Sequence, residues 1–268
     1  SVEALPHLSG NRPSTAAWVP ANGTTVADDT FVIERNPYYF AVDAEGNQLP
    51  YIDHVKFKFF ADKETLNLAA VGGQIDMQGR HLAMSNFPVL MENSDKGGYR
   101  VITYPTFGGS DAVIVFNQTY TNDEAIGDIL RNKDFRIALS HSIDRDAIKE
   151  LAFLGIGEAR QGVPAPFHPF YPGDEYAFKY TQLDTTISND LLDGIGLTAR
   201  DGDGYRLLPN GDRLDIEISV VPAFASWADI GQLVVEDWAE VGVRAHIELR
   251  ERTPHFAMRA SNDLQVEI

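Results

Sequence analysis

The sequence contains no cysteine. That excludes disulfides, thiolate metal ligands and a cysteine nucleophile together. It is also poor in basic residues, with 22 Lys and Arg against 39 Asp and Glu and a formal charge of -17. Such a chain repels nucleic acid and anionic lipid at long range, so neither is expected as a partner. No apolar run approaches the roughly 18 residues that a membrane-spanning helix requires. The opening residues, Ser1-Val2-Glu3-Ala4-Leu5, lack the charged, apolar and small-residue succession of an export leader. The chain is therefore expected to start downstream of its gene's own start.

Enzyme signatures are missing as well. Gly109-Ser110-Asp111 does not have the form of a nucleophile elbow. Ser140, His141 and Asp144 share one stretch, but their spacing does not promise the convergence a triad needs. Asp201-Gly202-Asp203-Gly204 begins like a calcium loop, yet Tyr205 stands where a third oxygen ligand is required and no Glu closes it. The histidines form no i, i+4 ligand pair, and no phosphate-binding Gly-Lys loop is present. No metal, no cofactor and no catalysis are expected.

What the chain does contain is a succession of short strands and helices. Residues 1–30, rich in Pro, Gly and Thr, read as an extended lead-in with Trp18 and Pro20 as its anchor. Phe31–Arg35 and the alternating Val55, Phe57 and Phe59 read as strands. Asp62 is placed to cap a helix carrying Leu66, Ala69 and Ala70, stopped by Gly72-Gly73. Ile75–Met77, Tyr99–Tyr104 and Ala112–Phe116 read as further strands. Phe135, Ala138 and Leu139 share a helical face, and Asp144 restarts the helix. Residues 162–177, dense in proline and aromatics, read as a long irregular loop, a type often functional. Ser188 is expected to cap the next helix.

The last third is the clearest unit. Leu214, Ile216, Ile218 and Val220 alternate as a strand. Ser226 and Asp229 read as a capping box for a helix with Ile230, Leu233, Val234 and Trp238 on one face. Gly242 ends that helix, and Val243 to Leu249 form the next strand. Strand, helix, strand with short joints is a βαβ unit, so part of the sheet is expected to be parallel. The sequence stops at Gln265-Val266-Glu267-Ile268 inside strand-like residues, which reads as a truncated chain.

Two places follow from these residues as candidate ligand contacts. Phe107, Gly108, Gly109 and Ser110 form a glycine-bearing crossing, whose backbone amides are free to bond an extended ligand. Phe224 and Trp227 sit at the strand-to-helix turn of the βαβ unit, where ligands of open α/β sheets gather.

Four segments, in order, resemble the family 5 extracellular solute-binding proteins of bacterial ABC importers. They are Glu34–Phe40 through Leu49-Pro50-Tyr51-Ile52-Asp53; Gly73-Gln74-Ile75-Asp76-Met77; Val115-Phe116-Asn117 with Asn132–Ser140 and Ile143-Asp144-Arg145; and Gly196-Leu197 with Leu208–Gly211 and the βαβ unit. The resemblance implies an α/β, type II periplasmic-binding-protein-like fold. Its two lobes of mixed sheet and helices are both incomplete here, residues 1–107 falling in lobe one and 108–268 in lobe two. It implies a monomeric, non-catalytic capture protein outside the cytoplasmic membrane. That protein would close its lobes on an oligopeptide and deliver it to membrane permease subunits. An oligosaccharide- or opine-binding member is the alternative, and a hydrolase is the alternative class. The resemblance also turns Arg80 and His81, just after Ile75–Met77, toward the cleft, where an Arg can hold a ligand carboxylate through two hydrogen bonds.

Overall fold

The computed structural model describes residues 14–21, 29–104, 109–222 and 226–268. The chain divides into two compact units, Ser1–Ala70 and Val71–Ile268.

In the first unit, β1 (Trp18–Pro20), β2 (Thr30–Arg35) and β3 (His54–Lys58) form an antiparallel sheet with β2 in the middle. Trp18 does anchor the lead-in: its backbone pairs with Arg35 and its Nε1 donates to Ile52 O at 3.0 Å. Phe31 faces Phe57 across the ladder and is buried. Asp43 accepts hydrogen bonds from Asn47 and from the Tyr51 hydroxyl. These donors favour the charged carboxylate, Tyr51 most of all, and hold Asp43 at about 2 rather than 3.8. The helix α1 (Lys63–Val71) starts as its sequence predicts, with Asp62 accepting from Thr65 N at 2.7 Å.

The second unit opens with a 3-10 turn at Met84–Asn86 and two short helices, α2 (Phe87–Glu92) and α3 (Ser94–Gly97). Two expected strands are not formed. Ile75–Met77 lies in irregular backbone with Met77 92% exposed, and Tyr99–Tyr104 is irregular with Ile102 and Tyr104 exposed. A strand needs a neighbour for its backbone groups, and among the described residues neither segment has one. Of Ala112–Phe116, only β4 (Val115–Phe116) pairs.

A helical layer follows: α4 (Glu124–Arg131), α5 (Lys133–Ser142), α6 (Arg145–Phe153), α7 (Asp174–Ala177) and α8 (Thr185–Gly194). Asp123, Asn132, Asp144 and Asp184 cap α4, α5, α6 and α8, each side chain accepting from a backbone N–H of its first turn. Ser188 therefore does not cap α8. It lies inside the helix, fully buried, its hydroxyl donating to Ala138 O on α5 at 2.8 Å. Asp184 takes the cap because a carboxylate accepts from the Ile187 amide without leaving the helix interior short of a donor.

The βαβ unit is as the alternation predicts. β5 (Asp215–Val220) and β6 (Arg244–Leu249) run parallel in register from Asp215↔Arg244 to Val220↔Leu249, joined by α9 (Trp227–Glu240). Ser226 precedes α9 but makes no side-chain cap. Gly242 takes φ +80 at the helix end. A further helix, α10 (Arg252–Ala260), leads to β7 (Val266–Glu267), which inserts between β4 and β5 to give the order β4-β7-β5-β6. The core lies between this sheet and α4, α5, α8 and α9. Trp238 is fully buried in it, stacked on Phe116 with centroids 5.9 Å apart and donating from Nε1 to Leu139 O.

Candidate functional site

Strand order decides where a site belongs in this sheet. The chain leaves β5 through α9 to β6 on one side, then returns through α10 to β7 on the other. The two neighbours of β5 are thus reached in opposite directions, and β5 and β7 flank a topological switch point. Crevices that bind ligands in open α/β sheets open there, at the strands' carboxyl ends. β4 runs antiparallel to β7, with Val115 opposite Glu267. The segment feeding β4, residues 109–114, therefore arrives at that same end.

Three of the expected contacts meet at this edge. Trp227, first in α9, donates from Nε1 to Asp111 O at 2.8 Å. Ser110 turns the chain locally, its hydroxyl donating to Ala112 O at 2.7 Å. Gly109 takes φ +70, and a Cβ there would lie 1.7 Å from Val163 O. Only glycine lets the crossing run this close to the proline-aromatic loop. Phe107, Gly108 and Phe224 lie outside the described residues. Arg80 and His81 are exposed in the irregular 72–83 segment, His81 with φ 62, and neither lines the cavity described next.

Against the crossing segment lies a cavity of about 850 Å³, wholly within the second unit. Its walls come from residues 109–114, α5, α6, α9 and the loop 156–167. The volume falls in the range of small-molecule sites. The loop is pinned to its own unit: Gln161 N donates to Ala177 O at 2.7 Å, and Gln161 Nε2 donates to Lys179 O at 2.7 Å. Much of the lining is apolar, in part aliphatic, including Val113, Ile137, Ile143, Ile148 and Ile156, and in part aromatic, including Phe153, Phe167, Tyr176 and Tyr180. The charged lining is lopsided. Lys133, Arg136, Arg145, Lys149, Arg160 and Lys179 face two acids, Asp111 and Glu158. Sequence reasoning missed these cations, because no motif spaces them. The one trace is that residues 131–179 carry seven basic and seven acidic side chains in a chain of net charge -17.

Beside the cavity, the Asp144 amide donates to Asp237 Oδ2 at 2.9 Å. Burial nevertheless pushes the Asp237 carboxyl up, with Asp144, Glu240 and Glu236 adding repulsion.

No triad forms at Ser140, His141 and Asp144. Ser140 donates to Tyr180 O and accepts from Arg145, His141 Nδ1 lies 2.8 Å from Gln182 O, and Asp144 caps α6. A different row, unread in the sequence, joins Ser219 of β5, His255 of α10 and Glu267 of β7. Ser219 Oγ lies 3.0 Å from His255 Nδ1, and His255 Nε2 lies 3.2 Å from Glu267 Oε2. Ser219 has no exposed surface, so no substrate reaches its hydroxyl. The row fastens α10 to the sheet. At Asp201-Gly202-Asp203-Gly204 the cation is the protein's own: Arg244 Nη2 lies 2.9 Å from Asp201 and 3.6 Å from Asp203. Among the described residues no cluster of His, Asp and Glu is arranged to hold a metal ion.

Residues 13–266 match the family model of the bacterial extracellular solute-binding proteins, family 5 Middle. The chain belongs to this family. A periplasmic alpha-galactoside-binding protein of Rhizobium meliloti is 28% identical to it over 87% of the chain. The chain spans 35% of that relative's length. Among solved structures, an oligopeptide-binding protein OppA shares 36% identity and a TM-score of 0.64, covering 98% of the chain and 41% of its own. The periplasmic binding protein MelB of Agrobacterium fabrum C58, solved with stachyose, shares 23% identity and a TM-score of 0.68, covering 96% and 39%. The α/β, type II periplasmic-binding-protein fold follows from membership and from these likenesses. No helix among the described residues of this family 5 chain is long and apolar enough to cross a membrane.

Proposed function

We infer that this chain is part of the extracytoplasmic capture component of an ABC importer, that it takes oligopeptides by lobe closure, and that it hands them to membrane permease subunits. Residues 1–107 and 108–268 contribute to the two lobes in this reading. The observation that carries the ligand class is the cavity against Gly109–Asp111. Its six cations suit the carboxylate that every peptide carries and a neutral sugar lacks, while its apolar walls, aliphatic and aromatic, take side chains. The 36% identity with an oligopeptide-binding protein adds weight. An oligosaccharide is the second reading, favoured by the 28% identity with an alpha-galactoside-binding protein.

Thermal unfolding with a mixed peptide library and with a galactoside series tests the choice. A ligand at 100 times its Kd stabilises by about 2.7 kcal/mol, a rise of several degrees. Peptides are expected to raise Tm and galactosides to leave it unchanged. Trp227→Phe, which frees Asp111 O, is expected to weaken the peptide effect while shifting the unliganded Tm little. A rise with galactosides alone refutes the peptide reading. Loss of peptide uptake on deletion of the gene tests the importer assignment separately.

A further inference from the structure

The cations around the cavity form few ion pairs, in contrast to several arginines elsewhere in the second unit. Arg206, Arg244 and Arg250 each face a carboxylate at 2.5–2.9 Å, and Arg259 pairs with Glu267. Other cations are not so paired: Arg200 bonds the Gly204 and Val241 carbonyls and the Asn189 amide oxygen. Around the cavity only Lys149 forms an ion pair, with Asp146 at 3.6 Å. Arg136 donates to Leu130 O and Arg131 O instead, and Arg145 to Ser140 O and Thr181 O. Arg160 donates to Pro164 O and lies over the Tyr171 ring, while its buried Nε has no hydrogen-bond partner. Among the described residues, Lys133 and Lys179 form no ion pair with a carboxylate.

Charges of one sign gathered around a recess raise its potential and draw the opposite charge from solvent, even where some, like Lys133 and Lys179, stand exposed at its rim. Six cations and two acids therefore make the cavity an electropositive hollow in an electronegative protein. Its apolar walls, aliphatic and aromatic, add a requirement for apolar surface. Resting on the peptide reading above, we propose that the site selects acidic peptides, those carrying carboxylate side chains flanking an apolar residue, over neutral peptides and sugars. The ligand supplies the counter-charges that the chain withholds from Lys133, Arg160 and Lys179.

The test is calorimetric titration of the full chain with the pentapeptide AELEA, its neutral counterpart AQLQA, and raffinose. AELEA is expected to bind roughly tenfold or more tighter than AQLQA, the scale of one charge-assisted hydrogen bond. That advantage is expected to shrink as salt rises. Lys133→Gln and Lys179→Gln, which leave the fold's hydrogen bonds intact, are each expected to weaken AELEA several-fold and leave AQLQA unchanged. Equal binding of the two peptides overturns the acidic preference and leaves the peptide reading standing. Raffinose binding without either peptide overturns both. Failure of AELEA to bind, or its binding unaltered in both lysine variants, also overturns the proposal.

Discussion

Arg206 is the structural residue whose loss the geometry prices most directly. It is 1% exposed and uses its whole guanidinium. Nε donates to Val241 O at 2.8 Å, Nη1 to Leu197 O and Asp193 Oδ1, and Nη2 to Asn189 Oδ1 at 2.7 Å. One side chain thus ties α8 and the turn after it to the end of α9. Arg206→Met keeps most of the volume and removes every donor. The buried Leu197 carbonyl loses its donor at a cost of about 1–3 kcal/mol, and the Val241 carbonyl keeps only the long contact from Arg200 at 3.5 Å. Removing a buried charge returns part of its desolvation cost, since Asp193 is half exposed and rehydrates. The net destabilisation is about 3 kcal/mol, which for a chain of this size lowers Tm by roughly 6–12 °C. Urea unfolding followed by circular dichroism measures it, with the slope m expected to hold and the midpoint to fall. Arg206→Lys, with one donor group in place of a fork, is expected to lie between. A Met variant within 1 kcal/mol of the parent would refute the reasoning, because it would mean those carbonyls are satisfied without Arg206.

Two further outcomes follow from single side chains. Gly109→Ala places a methyl against Val163 O at φ +70, so a loss of at least about 1–3 kcal/mol is expected by thermal unfolding, together with weaker ligand binding. Asp43, held at about 2, has a folded value below its unfolded 3.8, so its stabilisation is present above the unfolded value and is lost as pH falls through about 2. Tyr51→Phe removes the largest cause, and the Asp43 carboxyl followed by NMR is expected to titrate closer to 3.8.

Much of the fold is legible where local chemistry and packing agree. The alternation of Leu214, Ile216, Ile218 and Val220 gives β5 because that face is fully buried. Asp62 and Asp144 mark true helix starts. Legibility fails where context overrides a residue's usual meaning. α4 was unread, and it carries Gly127, a residue that usually weakens a helix. It is there because a Cβ would lie 2.4 Å from Tyr120 O. α10 was unread because Pro254 looks like a stop, yet it sits in the first turn, where proline costs little. Ile75–Met77 carries a strand's composition without a partner strand. Gly109, Ser110 and Trp227, singled out from glycine placement and a strand end, do come together at one edge of the sheet. The cavity's cations were not readable, since they come from α5, α6 and two loops that meet only in the fold.

The position of β7 also bears on how the sheet assembles. Val266 and Glu267 fill the gap between β4 and β5, so Phe116 pairs with a residue about 150 positions further along the chain. Bringing such distant segments together costs loop-closure entropy before any contact rewards it. The β5-α9-β6 unit is able to form from nearer contacts, while the segment that carries Gly109 to Asp111 has no strand to pair with until β7 is in place. That edge is therefore expected to be the last part of the sheet to close when the chain folds, and the one longest open to misassociation.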